Sequence, residues 1–592
     1  MLRLPKKLVW VALILTTIGG WGTDAQAAAE SAEILTIAPG DALDPRKPPF
    51  NAIPGDGVDD REKLQQWIDA GCASKSKLLY LPPGDWHVTR QPQAGPTSAG
   101  SLRIVCDGLT LVGTGRASRI VMQGSSVLPT SPLGPAPWYV FDIRSQGVTL
   151  EGIAIDGAQR FNTGEQTHLV EVTGPARDVE LRRLHLNIPA LQPPNGAVNC
   201  IPPQSDPEHE TRKCEIPGHG TVLCKDLGDR PSCSVEGDTY TVLGGFRGGD
   251  CIRSVGEVAT PVNGVTVADS YAPECDRSFI AFQRASYNFT ITGNVTKKVT
   301  DQIIDQEPSG TGGIGKVLIL GNRFERGGAA SQGGAAITLT GIGTGSELGD
   351  SLVVANNVLD GGIITFNVGH VSIEHNLING QPLASNIEPV IQIVRHTESL
   401  RLIGNEIVRP AEAGPGAVIL ARVHNTHWPI DVTMALNTVR QNTNGNVIEM
   451  TGVQNATLVD NTILCNQPTD DVYTALVGFS VAPQADDPTT TTLDETRPPV
   501  PLEGLIVWQN RARGRCKTLV TLVPHATPVP IGAVTITDNQ TRGMSVGVQF
   551  AGTVLPSVKP RISDNLFEGT APASFVLGPV GFTFDGGNGP QP

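Results

Sequence analysis

Short stretches that alternate apolar and polar positions recur along this chain, each closed by an asparagine and a further apolar residue. They read FTITGNV around Asn294, VLILGNRF around Asn322, LVVANNVL around Asn357, VSIEHNLI at Asn376, LRLIGNEI at Asn405, VTMALNTV at Asn437 and ATLVDNTI at Asn461. Later copies sit at Asn510, Asn539 and Asn565, and the intervals run 28, 35, 19, 29, 32, 24, 49, 29 and 26. A period-two pattern predicts strands with one buried face. A fixed unit with insertions of variable length predicts a solenoid, each coil stacked about 4.8 Å from the last. An asparagine tolerates a tight bend and can bond to the same residue one coil away, so these asparagines are expected to form a structural ladder and not a site.

Earlier coils are readable at VTLEGIAIDG (148–157), VELRRLHL (179–186) and VTVADSY (265–271). The pattern predicts a cap at 28–100, first coils at 101–188 and a main solenoid at 247–570. Between them, 189–246 is rich in Pro and Cys with no apolar alternation, and 571–592 forms a tail. A Pro/Thr/Asp-rich loop at 482–501 accounts for the longest interval.

The cap has its own signature. FNAIPGDGVDDREKLQQWIDA (50–70) is a Gly/Asp turn opening a helix, where Asp59 or Asp60 can accept from a free first-turn N–H. Leu64, Trp67 and Ile68 then make one apolar face. LLYLPPGDWHV (78–88) is a short strand stopped by Pro82-Pro83-Gly84. Together these segments resemble the opening of the pectate-lyase-like superfamily, where a GDG-x-x-DD turn, a capping helix and an LPPG strand start the solenoid. The resemblance implies an all-β fold, a single-stranded right-handed parallel β-helix with an N-terminal capping helix. It also implies a carbohydrate-active enzyme, a lyase, hydrolase or epimerase, acting on an acidic polysaccharide.

Composition narrows the setting. In 592 residues only 17% are charged and 5% aromatic, with 67 Gly and 46 Pro, which predicts many turns and little helix. Residues 1–27 read as a secretory signal: Arg3, Lys6 and Lys7, an apolar run from Leu8 to Ile18, and an Ala25-Gln26-Ala27 cleavage site. That run is too short to prefer a membrane span. A secreted or periplasmic protein is therefore expected. Its net charge of −14 disfavours nucleic acid, which needs clustered cations. A uronate-containing polysaccharide remains an admissible partner, met by a local basic patch or a metal ion.

Ten cysteines, an even count in a chain with an export signal, predict disulfides. Neighbour pairing gives Cys72–Cys106, Cys200–Cys214, Cys224–Cys233, Cys251–Cys275 and Cys465–Cys516. The 200–233 stretch lacks the C-x-x-C spacing of a zinc site.

Long loops on a solenoid line its functional face, so candidate chemistry is sought after the 189–246 insertion. GDCIRSV (249–255), CDRSFIAF (275–282) and TDQIIDQEP (300–308) are acidic. Asp250, Asp276 and Asp301 are spaced by 26 and 25 residues. If they share a column they stand about 5 and 10 Å apart, which suits paired catalytic carboxylates or a calcium site. Arg253 and Arg277 lie in the same segments, Arg277 as a candidate base and Arg253 as a substrate contact. Anchoring instead on Ile252, Ile280 and Ile304 puts Arg253, Ala281 and Asp305 in one outward column and makes Asp305 and Glu307 the better acids. Segments like IIDQEP recur in the superfamily, which favours that pair.

DCI at 250–252 resembles the DDCI motif of polygalacturonases, with Gly249 in place of the first Asp. Gly218-His219-Gly220 resembles their GHG but precedes the Asp segment, and the downstream Arg-x-Lys is missing, so a standard family-28 glycosidase is not expected. Further on, His370, His396 and His424 follow strands at intervals of 26 and 28, and His525 follows a later one. Arg395 and Arg422 stand beside two of them. Arg395, His396, Arg422 and His424 are candidate uronate contacts, although a turn-lining His ladder without chemistry explains the same spacing. The likeness to mannuronan epimerases and alginate lyases is generic, with no DPHD motif. The rival class is a non-catalytic binding or structural solenoid. It gains if Trp138, Trp428 and Trp508 all point inward or lie far from Asp305 and His424. A phage-tailspike role is a third reading, which the export signal opposes.

Overall fold

The computed structural model describes residues 40–585 except 90–99, 124–137, 158–166, 190–196, 202–210, 217–219, 226–231, 236–237, 245–248, 308–313, 328–334, 342–349, 383–387, 395–396, 423–429, 452, 467–472, 480–501, 525–530, 552–557, 571–573 and 579–582. The expected export signal, His219, Arg395, His396, His424, Trp428 and His525 lie outside the described residues. Of Glu307, Arg422 and the four cysteines of 200–233, only the backbone is described.

One coil shows how the pattern folds. Ile280–Arg284 runs in a fifteen-stranded sheet, Ser286–Thr292 turns into a twenty-eight-stranded sheet, and Val295–Thr296 continues there after the turn at Asn294. The chain then returns to the fifteen-stranded sheet at Ile304–Glu307. Strands of these two long sheets pair in parallel with their equivalents one coil on: Ile280 with Ile304, Phe289 with Val317, Val295 with Arg323. Such pairing from Leu78 to Leu577 is the right-handed parallel β-helix read from the sequence, with the crossover hand that parallel strands favour. Alternate residues such as Phe289, Ile291, Val317 and Ile319 are buried in one continuous core. Residues 197–244 form a separate five-stranded sheet, in which Cys200 is opposite Cys214.

The asparagine ladder is continuous. Asn294 Nδ2 donates to Asn322 Oδ1 at 3.0 Å, and the same bond links each repeat asparagine to the next as far as Asn565. Each amide also donates to a backbone carbonyl, as Asn437 does to Leu402 at 2.8 Å. These side chains are buried but satisfied, so they hold the bend without the cost of an orphaned polar group.

At the N-terminal end, helix Arg61–Ala73 covers the first coil with Leu64, Trp67 and Ile68 fully buried. Asp59 Oδ1 accepts from Arg61 N–H at 3.1 Å, whereas Asp60, at the capping position, makes no side-chain cap bond. Burial, and secondarily Asp56, pushes the Asp60 carboxyl up to about 6. Cys72–Cys106, Cys251–Cys275 and Cys465–Cys516 are bonded. Among the described residues, no helix is long and apolar enough to cross a membrane.

Candidate active site

The register of the fifteen-stranded sheet decides between the two columns left open by the sequence. Ile252 pairs with Ile280 and Ile280 with Ile304, so Arg253, Ala281 and Asp305 stand in line. The line extends backward to Glu171 and Asp142. Asp250, Asp276 and Asp301 do not share a column. Asp250 accepts the Ser278 amide at 3.2 Å, and the Asp301 amide donates to the Arg277 carbonyl at 3.1 Å, which offsets each acid from the next. Arg277 occupies the space beside Asp250, and among the described residues no three His, Cys, Asp or Glu side chains converge. These acids therefore do not fit the calcium cage expected from their spacing.

A charged cluster forms on neighbouring strands of the fifteen-stranded sheet, Thr167–Thr173, Ile252–Gly256, Ile280–Arg284 and Ile304–Glu307. Arg277, on the connection between Tyr271–Cys275 and Ile280–Arg284, has Nη1 3.8 Å from Asp250 Oδ2 and Nη2 3.5 Å from Asp305 Oδ2. The Arg253 guanidinium bonds Gln283 Oε1, lies 3.1 Å from His168 Nε2, and stands 3.9 Å from Glu171 Oε2. His168 Nδ1 lies 3.0 Å from the Asp250 amide and 3.4 Å from its carboxylate, and the ring stacks on Tyr139 with centroids 5.6 Å apart. Disulfide Cys251–Cys275 ties the segment carrying Asp250 to the one carrying Arg277.

Electrostatics separate the roles. Burial pushes Asp305 up to about 7, with Arg277 opposing and Asp250 and Asp301 adding to the rise. Burial pushes Glu171 up to about 8 against the pull of Arg253. His168 is held well below its ordinary value, first by burial and then by Arg253 and Arg277. Both ring nitrogens face donors, the Asp250 amide N–H at Nδ1 and the Arg253 guanidinium at Nε2, and a neutral imidazole can accept at only one of them. His168 and Asp250 are sealed from solvent, while the side chains of Asp305 and Arg253 keep 10% and 12% exposure. Asp250 thus lies sealed beside Arg277, its carboxylate 3.8 Å from the guanidinium.

Gly249 explains the departure from the paired-Asp motif. A Cβ at this position would collide with the carbonyl oxygen of Thr167 on the preceding coil. The remaining candidates scatter. Asp276 is buried, and Glu307 ends the strand that carries Asp305. Arg422 is four coils beyond Asp305 in the same sheet. His370 starts a strand of the other sheet, bonded to Ser399 at 2.9 Å and 3.5 Å from Glu398. Trp138 points inward and donates to Ser101, and Trp508 lies on the twenty-eight-stranded sheet beside Asp538. The sequence reading missed Tyr139, Asp142, His168 and Glu171, because it searched only beyond the insertion. Asp142 and Glu171 are 29 residues apart, one coil, but 82 residues separate Glu171 from Arg253.

Fold and cluster together define a parallel β-helix with a buried acid–arginine network on one of its long sheets. No family model matches the chain, and no curated protein matches it. Similar solved structures include the Azotobacter vinelandii mannuronan C-5 epimerase AlgE6 A-module, at 13% identity and a TM-score of 0.35, covering 91% of this chain and 99% of that one. They also include PfbA, a surface adhesin of Streptococcus pneumoniae, at 11% identity and a TM-score of 0.32, covering 90% and 93%. A GH87 α-1,3-glucanase catalytic domain in complex with nigerose matches at 10% identity and 0.32, covering 88% and 70%. Likeness this slight transfers no activity to this chain.

Proposed function

We propose that this chain is a carbohydrate-active protein that cleaves an acidic polysaccharide at the Arg277–Asp305 cluster. The observation that carries the reading is one guanidinium set between two buried acids, one on the coil before it and one on the coil after, the more exposed of which holds its proton near neutral pH. Strongly perturbed ionisable groups gathered in one place mark functional sites more often than scaffolding. Asp305 gives its proton to the leaving glycosidic oxygen, a step that hydrolysis and elimination share. Arg253, the most exposed cation of the cluster, pairs with a sugar carboxylate. Arg277 positions Asp305, while Asp250 and His168 hold the two arginines in place. The three disulfides favour a location outside the cytoplasm, secreted or periplasmic.

One observation favours the rival reading, a non-catalytic binding solenoid: neither described solenoid tryptophan lines this cluster. The test is an assay of the full chain and of Asp305→Asn on uronate-containing and neutral polysaccharides, following unsaturated-uronate absorbance and reducing ends in parallel. Reducing ends with absorbance mean elimination, and reducing ends alone mean hydrolysis. Either one, lost in Asp305→Asn, supports the reading. Silence from folded protein across the panel overturns it in favour of the binding solenoid.

A further inference from the structure

A second site lies on the other sheet. Strands Gly84–Val88, Thr110–Met122, Thr149–Asp156, His185–Ile188 and Tyr271–Cys275 are neighbours in the twenty-eight-stranded sheet. Register places Asp85, Arg119, Ala154, His185 and Tyr271 in one column. Over them opens a cleft of about 480 Å³, also lined by Arg116, Asp156 and Asn187. That volume falls in the range of about 300–1,000 Å³ typical of small-ligand sites. The cleft is on a different sheet from Asp305 and shares no residue with the charged cluster.

Its chemistry is that of a sugar site. The rings of His185 and Tyr271 stand with centroids 5.3 Å apart and form an uncharged platform on two successive coils. A register shift between Tyr271 and Glu274 marks a bulge just after the tyrosine; such bulges re-aim side chains out of the regular sheet. Beside the platform, Arg119 is fixed by Asp85 through bonds of 2.8 and 2.6 Å and has Asp156 at 3.6 Å, so its charge is balanced. Arg116 is exposed and pairs with no carboxylate among the described residues. An aromatic face accepts the C–H face of a pyranose ring, the Asn187 and Asp156 side chains offer partners for hydroxyls, and Arg116 offers a counter-charge.

We infer that this cleft is a glycan-binding subsite separate from the Arg277–Asp305 cluster, seating one acidic sugar residue on Tyr271 with its carboxylate on Arg116. The choice of an acidic sugar rests on the polysaccharide reading above. A site displaced from the cleaving groups would hold a long chain while one of its bonds is worked on elsewhere.

The test is titration calorimetry of the full chain with hexameric oligogalacturonate, hexameric oligomannuronate and neutral cellohexaose, with wild type, Tyr271→Ala, Arg116→Ala and Asp305→Asn compared at matched melting temperature. Binding of an oligouronate that weakens about tenfold in Tyr271→Ala, and that Arg116→Ala weakens for the uronate but not for the neutral sugar, supports the inference. Asp305→Asn is expected to retain this binding whether or not the wild type cleaves polysaccharide, which keeps the two claims separable. Oligouronate binding untouched by Tyr271→Ala and Arg116→Ala overturns the subsite even if cleavage is found. No binding of any probe by wild type overturns it as well. Because Arg116 is exposed, its replacement leaves the fold intact and keeps the test valid if Tyr271→Ala fails to fold.

Discussion

Arg277 and Asp305 meet across two successive coils, guanidinium to carboxylate at 3.5 Å, with Asp250 3.8 Å from the same guanidinium. Arg277 is the cation that opposes the rise of the Asp305 carboxyl, whereas Asp250 adds to it. Arg277→Met removes the first and leaves the second. The Asp305 carboxyl is then expected to titrate above about 7, and the alkaline limb of the pH–rate profile moves upward with it. Removing one partner of a buried ion pair costs about 3–5 kcal/mol, so the variant also melts earlier. An alkaline limb that stays in place would show that Asp305 is not the group controlling the rate.

Asp305 must be protonated to act as an acid, so activity is expected to fall as pH rises through about 7. Asp305→Asn keeps the shape but has no proton to give, and a loss of about 10²–10⁴-fold in kcat is expected. Measured pH–rate profiles of both proteins check this. A wild-type rate still rising above pH 8 would contradict it.

Glu171 carries a stability signature of its own. Its folded-state value, about 8, lies above the unfolded value near 4.5, so the folded protein binds the proton more tightly than the unfolded chain does. The resulting stabilisation is full below about 4.5 and is lost as pH rises through about 8. Glu171→Gln cannot ionise. It is expected to melt at the wild-type temperature near pH 4 and several degrees higher at pH 9, since each tenfold difference in proton affinity between the folded and unfolded chain is worth at most about 1.4 kcal/mol. Parallel melting curves without a widening gap would place the Glu171 carboxylate in a more solvated setting.

The solenoid was legible in the sequence because its period is written in one residue type. The asparagine that closes each unit is the same residue that bonds to its equivalent on the next coil, so the repeat in sequence and the ladder in space coincide. The capping helix was legible because Leu64, Trp67 and Ile68 share one face. The site was half legible. Anchoring on Ile252, Ile280 and Ile304 places Asp305 and Arg253 correctly, because inward isoleucines fix the register of parallel strands. Asp250, Asp276 and Asp301 misled because nearly equal spacing does not guarantee a shared column when connections differ by a residue or two. Glu171 and His168 were hidden by the inserted sheet at 197–244, which separates them in sequence from the coil they touch.

Asn437 tests the ladder directly. Its amide donates to Asn461 Oδ1 at 2.9 Å and to Leu402 O at 2.8 Å, and its Oδ1 accepts from the Asn405 amide N–H and side chain. Asn437→Ala deletes these bonds and leaves buried donors on Asn405 without an acceptor. A destabilisation of about 2–4 kcal/mol is expected, read as a lower denaturant midpoint. Activity at the distant cluster should be unchanged below the transition. A variant as stable as wild type would mean that water replaces the amide and that the ladder is dispensable.

Gly249 settles whether the missing aspartate of the paired-Asp motif is a lost catalytic group or a steric necessity. Thr167 belongs to the same strand as His168, and its carbonyl oxygen occupies the space a Cβ would need at Gly249. Any side chain there must push the Asp250 segment away from the preceding coil, stretching the His168–Asp250 contact that helps to hold Arg253 and Arg277. Gly249→Ala is therefore expected to lower the melting temperature and to weaken activity together. Gly249→Asp, which restores the motif on paper, adds an unpaired charge to the same collision and is expected to be worse than alanine. The reverse order, with aspartate more active than alanine, would mean that the coil yields at this point and that a second carboxylate is usable there.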